Sequence, residues 1–141
     1  MAHPFDVEHA SRLHVEWCRD LAARMDVRTT HQSGPQMRAV MHELRRSLPI
    51  EDVIVIANQF PALERGVFLQ DWRLDEGPVD VPDADAFRER AYERVTAHHF
   101  SVRSLVEDVF WLWNEKLDPL KAAEISESLP EVLKPLWPRA I

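Results

Sequence analysis

Two side chains in this sequence have the types and the spacing to share a ligand. His14 and Cys18 stand four residues apart, which on a helix puts an imidazole and a thiol on one flank. Zinc takes nitrogen and sulfur ligands, so such a pair can begin a metal site, but zinc needs three or four ligands. No second His-Cys pair and no Glu-x-x-His motif completes this one, and the plainer expectation is that both residues border the core. His31 and the pair His98-His99 fall in polar loops. A metal or anion site shared by those loops is the sharper reading, and a solvated loop the plainer one.

The other chemistry-bearing groups make no catalytic set. There is no Gly-x-Ser-x-Gly elbow and no glycine-rich phosphate loop, and three glycines in 141 residues leave little material for either. Arg38, Arg45, Arg46 and Arg65 can gather on one surface and receive an acidic group, with ordinary salt-bridged exposure as the alternative. The carboxylates are expected on wet helix faces or in an acidic linker. No catalytic residue, cofactor or metal is therefore predicted, and the balance leans away from an enzyme.

Composition bounds the partners. A net charge of −7 argues against sequence-independent nucleic-acid binding and against an anionic membrane surface, both of which need a basic face. Cys18 is the single cysteine and cannot form an internal disulfide, which points to a reducing cytoplasm. The opening residues lack the basic region and apolar core of a signal peptide. No apolar run approaches the ~20 residues of a membrane span.

The elements that position these groups read as helices. Asp6 caps a first helix to about Met25, with Ala10, Leu13, Trp17, Leu21 and Met25 as its stripe. After a polar loop over 26–34, Ser33 reads as the cap of a second helix, with Pro35 in its first turn and Gln36 three residues after the cap. That helix carries Met37, Val40, Met41, Leu44 and Leu48 inward and Arg38, Arg45 and Arg46 on its wet side. Residues 51–60 contain a β-branched run that looks like a strand, yet their counterpart at 120–129 has helix-forming composition, so both are read as helical. A short fourth helix follows Pro61, with Leu63, Val67 and Phe68 apolar. Residues 73–85 form the acidic linker, Phe87, Ala91 and Val95 mark a fifth helix, and 119–128 a seventh. A last helical turn follows Pro130, interrupted by Pro135.

The most apolar stretch, Ser101–Leu117, is the sixth helix and the expected centre of packing. Val102, Leu105, Val106, Val109, Phe110, Trp113 and Leu117 share one face. Trp111 lies about 160° from the middle of that face at 100° per residue. It is either exposed or covered by the N-terminal helix or a second protomer, and an exposed Trp is a common interface anchor.

Shifted by 69 residues, the apolar positions of the chain coincide: Met37 meets Val106, Leu44 meets Trp113, Ile56 meets Ile125, and Phe60-Pro61 meets Leu129-Pro130. The expected architecture is an all-α helical bundle of seven or eight helices in one domain, built from two tandem pseudo-symmetric repeats of about 12–72 and 84–137.

Two phrases, Phe60-Pro-Ala-Leu-Glu-Arg-Gly-Val-Phe-Leu-Gln-Asp-Trp72 and Leu129-Pro-Glu-Val-Leu-Lys-Pro-Leu-Trp137, resemble a bacterial family known as domain of unknown function 2267. Its members are similar in having two helical halves, each with a Leu-Pro step, and an Arg-Gly-aromatic phrase ending in Trp after the first. The resemblance covers about 12–137 and departs at Phe60, where Leu is usual, and in the bulky Trp111 and Trp113. It implies an all-α bacterial cytoplasmic protein and no particular reaction.

Two functional readings follow. The first is a non-catalytic interaction module, presenting a helical surface such as that around Trp111 to a protein partner or to a second copy. The alternative is a small ligand- or metal-binding protein, or an enzyme, with a pocket between the repeats lined by His and Arg groups.

Overall fold

The computed structural model describes residues 6–27, 30–96 and 102–139. His98, His99 and the side chain of His31 lie outside what it describes. Among the described residues the protein is all-α: α1 (Val7–Met25), α2 (Thr30–Arg46), α3 (Ile50–Gln59), α4 (Ala62–Leu69), α5 (Ala84–Thr96), α6 (Leu105–Lys116), α7 (Pro119–Ser128) and a 3-10 helix (Glu131–Leu136). No helix among them is long and apolar enough to cross a membrane.

Local chemistry accounts for the boundaries. The Asp6 carboxylate accepts from the Glu8 N–H at 2.8 Å and starts α1. Asp26 ends it in the left-handed region, φ 58°, with its N–H turned back on the Ala22 and Ala23 carbonyls. Pro61 and Pro130 follow the extended residues Phe60 and Leu129 that close α3 and α7, because the residue before a proline is pushed out of helical geometry. The β-branched run of α3 is helical, with Val53, Ile56 and Ala57 buried. Here the tertiary environment outweighs a propensity difference of a few tenths of a kcal/mol per residue.

The core gathers on α6, where Leu105, Val106, Val109, Phe110, Leu112 and Trp113 are all fully buried. The Trp113 ring lies 5.0 Å from Phe60 and 5.6 Å from Phe110, centroid to centroid, distances at which tilted aromatic pairs attract. Trp17, Leu21 and Met25 of α1, and Phe87, Ala91 and Val95 of α5, are buried as their spacing requires.

Three expectations need correction. Ser33 does not cap α2, because the helix begins at Thr30. Ser33 is buried inside it, and its hydroxyl donates to the Cys18 carbonyl at 2.6 Å, tying α2 to α1. The helical part of the central stretch starts at Leu105, so Val102 precedes it and donates its N–H to the Gln36 side chain at 2.9 Å. Arg45 is not on a wet face. It is 5% exposed, gripping both Glu76 oxygens at 2.7 and 2.9 Å and donating to the Phe68 and Gln70 carbonyls.

Residues 70–83 contain no helix, yet they are pinned to α2. The Val79 N–H donates to the Arg46 carbonyl at 2.9 Å. Beside it, a Cβ on Gly77 would lie 2.2 Å from that same carbonyl oxygen, so only glycine allows the chain to pass there.

Candidate functional site

The packing of α1 against α2 and α4, and of α2 against α4 and α5, leaves an open groove of about 560 Å³. Its walls include His14 of α1, Gly34, Arg38 and His42 of α2, Val67 of α4 and Arg94 of α5.

His14 connects this groove to the interior. Its Nδ1 lies 2.5 Å from Oε2 of Glu64 and its Nε2 3.6 Å from the Cys18 sulfur. Glu64 is 0% exposed, Cys18 is 4% exposed, and the His14 side chain is one-third exposed. A wholly buried carboxylate accepts, so the proton on Nδ1 belongs to the bond with Glu64, and Nε2 faces the sulfur. The sulfur at Nε2 and the carboxylate at Nδ1 hold His14 up to about 10, against the opposing effect of burial. The second Glu64 oxygen, Oε1, is buried without a hydrogen-bond partner among the described residues.

His42, one wall of the groove, behaves in the opposite way. Burial pushes it below its ordinary value, its bond to the Val67 carbonyl opposes that, and the guanidiniums of Arg45, Arg38 and Arg94 push it further down. It is therefore a neutral imidazole donating Nε2–H to Val67 O at 2.7 Å.

A second buried carboxylate, Glu43, 1% exposed, is bonded to the groove residue Arg94. Arg46 donates twice to its Oε2, at 2.7 and 3.2 Å, and Arg94 once to its Oε1, at 2.9 Å. Two guanidiniums on one carboxylate leave one positive charge in excess. Arg38 adds another from an exposed position on α2.

The four arginines singled out from the sequence do not gather. Arg45 clamps the end of α4 and the segment after it, Arg46 serves Glu43, and Arg65 donates to the Ala57 and Phe60 carbonyls at the end of α3. Only Arg38 reaches the groove, where Arg94 joins it. His14 and Cys18 do meet, as their spacing implies. No cluster of three metal-ligating side chains occurs among the described residues. Trp111 is half-buried against the core, with the Arg24 guanidinium of α1 4.7 Å above its ring centroid.

Glu64 escaped the sequence reading altogether. Hydrophobic patterning gave α4 an inner face of Leu63, Val67 and Phe68, but Leu63 is 41% exposed and it is Glu64, with Phe68 one turn on, that turns inward. The two adjacent residues differ by one 100° step, and an eight-residue helix carries too few turns to fix the phase. The carboxylates expected outside are thus partly inside: Glu43, Glu64 and Asp108 are all buried.

No curated protein matches the chain. The profile of the family described as "Uncharacterized conserved protein (DUF2267)" matches residues 14–136, which takes in all the groove residues and most of every helix. The chain belongs to the domain of unknown function 2267 family.

Proposed function

We propose that this chain is a non-catalytic binding module that holds a small anionic molecule, a carboxylate or a phosphate, in the groove between α1, α2, α4 and α5. The observation that carries the reading is the sign of the groove in a chain of net charge −7: the charged groups bearing on His42 are three guanidiniums. The negative charges nearby are already matched, Glu64 by His14 and Glu43 by two arginines. Arg38 supplies a forked donor suited to oxyanions. The reading built on Trp111, a surface for a protein partner or a second copy, has less support, because Arg24 already lies over that ring.

The test is the thermal stability of the chain with phosphate, sulfate and a series of mono- and dicarboxylates. A ligand that binds the folded state raises the melting temperature. The expected result is a rise with at least one anion that weakens with added sodium chloride and is lost in Arg38→Ala. No rise with any of them at millimolar concentration overturns the reading.

We also infer that the fold is a tandem repeat. In support, α3 and α7 are ten residues each, offset by 69, and both end in an extended residue followed by proline. Ile56 and Ile125, equivalent under that offset, are both 0% exposed. Ile56→Ala and Ile125→Ala should then cost similar amounts, within ~2–5 kcal/mol, by urea denaturation. A large cost at one and none at the other contradicts equivalence.

A further inference from the structure

We propose that Cys18 is a reactive thiol, activated by a His14 that Glu64 orients, and that its co-reactant is a small peroxide. Three side chains from two helices stand in line: carboxylate, imidazole, sulfur. Glu64 lies 50 positions away from His14 in sequence, so the alignment is made by the packing of α4 on α1. Glu64 fixes the Nδ1 proton and aims Nε2 at the sulfur, 3.6 Å away. This is the arrangement in which an imidazolium stabilises a thiolate and a third group orients the imidazolium.

Packing alone does not explain the arrangement. A carboxylate with no exposure, and one oxygen unbonded among the described residues, is a costly way to fill that position, and replacing such a buried pair by apolar side chains of similar volume is often neutral or stabilising. The groups facing His14 across the groove are Arg38 and His42 of α2 and Arg94 of α5. They are cationic or neutral, so none of them repels an anionic sulfur.

Size selects the co-reactant. The sulfur lies beneath Gly34, a wall residue of the groove, and a Cβ on Gly34 would meet it at 3.9 Å, ordinary contact. The sulfur is nearly sealed, 4% exposed, which admits a small oxidant and not a bulky electrophile. Because His14 already carries both ring protons, the thiol proton leaves to water while Nε2–H bonds the sulfur. The thiolate then attacks one peroxide oxygen, an S–O bond forms and the O–O bond breaks. The departing oxygen takes the Nε2 proton and leaves as water or an alcohol. Sulfur is oxidised by two electrons, the peroxide is reduced by two, and Cys18 becomes a sulfenic acid.

The test compares the intact chain when folded and when unfolded in urea, where Cys18 is an ordinary thiol. Because it is the sole cysteine, loss of free thiol reports on it alone. With hydrogen peroxide at pH 6, where a thiol of pKa about 8.5 is almost wholly protonated, the folded chain should react at least about tenfold faster. Dimedone should trap one adduct, and a bulky maleimide should react faster with the unfolded chain. Glu64→Gln, which keeps the shape, should lose most of the advantage. If that variant does not fold, His14→Gln and the folded-to-unfolded ratio decide. A folded chain that reacts no faster than the unfolded one ends the proposal, as does a folded Glu64→Gln with an unchanged rate.

Discussion

Glu43 and Glu64 are both carboxylates sealed inside the same helical protein, and their surroundings are opposite in kind. Glu43 has guanidiniums on both oxygens, drawn from α2 and α5. Such a group is neutralised and immobile, and its role is to join helices. Glu64 has one titratable partner on one oxygen and, among the described residues, none on the other. That partner is a histidine that opens to the groove and touches a thiol. Burial alone therefore does not distinguish a structural carboxylate from one poised for chemistry. The partner's ability to gain and lose a proton does.

The contrast can be broken most sharply at His14. His14→Ala leaves Glu64 buried without its counter-charge, which should cost ~3–5 kcal/mol at neutral pH, read by urea denaturation. The penalty should shrink as the pH falls, because the stranded carboxyl can take up a proton. A cost under about 1 kcal/mol at pH 7 shows that the pair does not hold Glu64 as described. Glu43→Gln should cost less, about 1.5–3 kcal/mol for lost bonds to charged donors, and its cost should stay flat over mildly acidic to neutral pH because arginines do not titrate there. If the two variants respond alike to pH, the distinction fails.

A weaker effect belongs to the wild type in alkali. His14 binds its proton more tightly folded, at about 10, than at its ordinary 6.5. The unfolded chain thus releases that proton first as pH rises, so the contribution is complete below about 6.5 and is lost progressively up to about 10. Denaturation midpoints from pH 7 to 10 should decline in the wild type more than in His14→Gln. The smallest change is expected at Arg38, which is exposed. Arg38→Ala should leave stability within about 0.5 kcal/mol while removing the response to anions.

Much of the fold was legible because helices advertise themselves through spacing. Phe87, Ala91 and Val95 needed only their intervals to define the inner face of α5, and Trp113 needed only its place in the stripe to be assigned to the core. The half of the site on α1 was legible too, since His14 and Cys18 lie one turn apart. What patterning could not supply is the partner from α4. A charged residue is scored as wet wherever it occurs, and the reason Glu64 is dry lies 50 residues away. The same blindness placed Arg45 outside. Its four hydrogen bonds run to the end of α4 and the segment after it, and no local rule anticipates them.

That arginine bears on where the chain tolerates cutting or extension. By composition, residues 73–85 look like a tether into which peptide can be inserted freely. In the structure they act as a strap: Arg45 holds Glu76, and Val79 holds the last turn of α2. The Val79 amide should exchange its hydrogen slowly, like a helical amide. New chain ends opened between Gly77 and Val79 should loosen α2, whereas the exposed stretch Pro82-Asp83, beyond the strap, is the better place for a circular permutation.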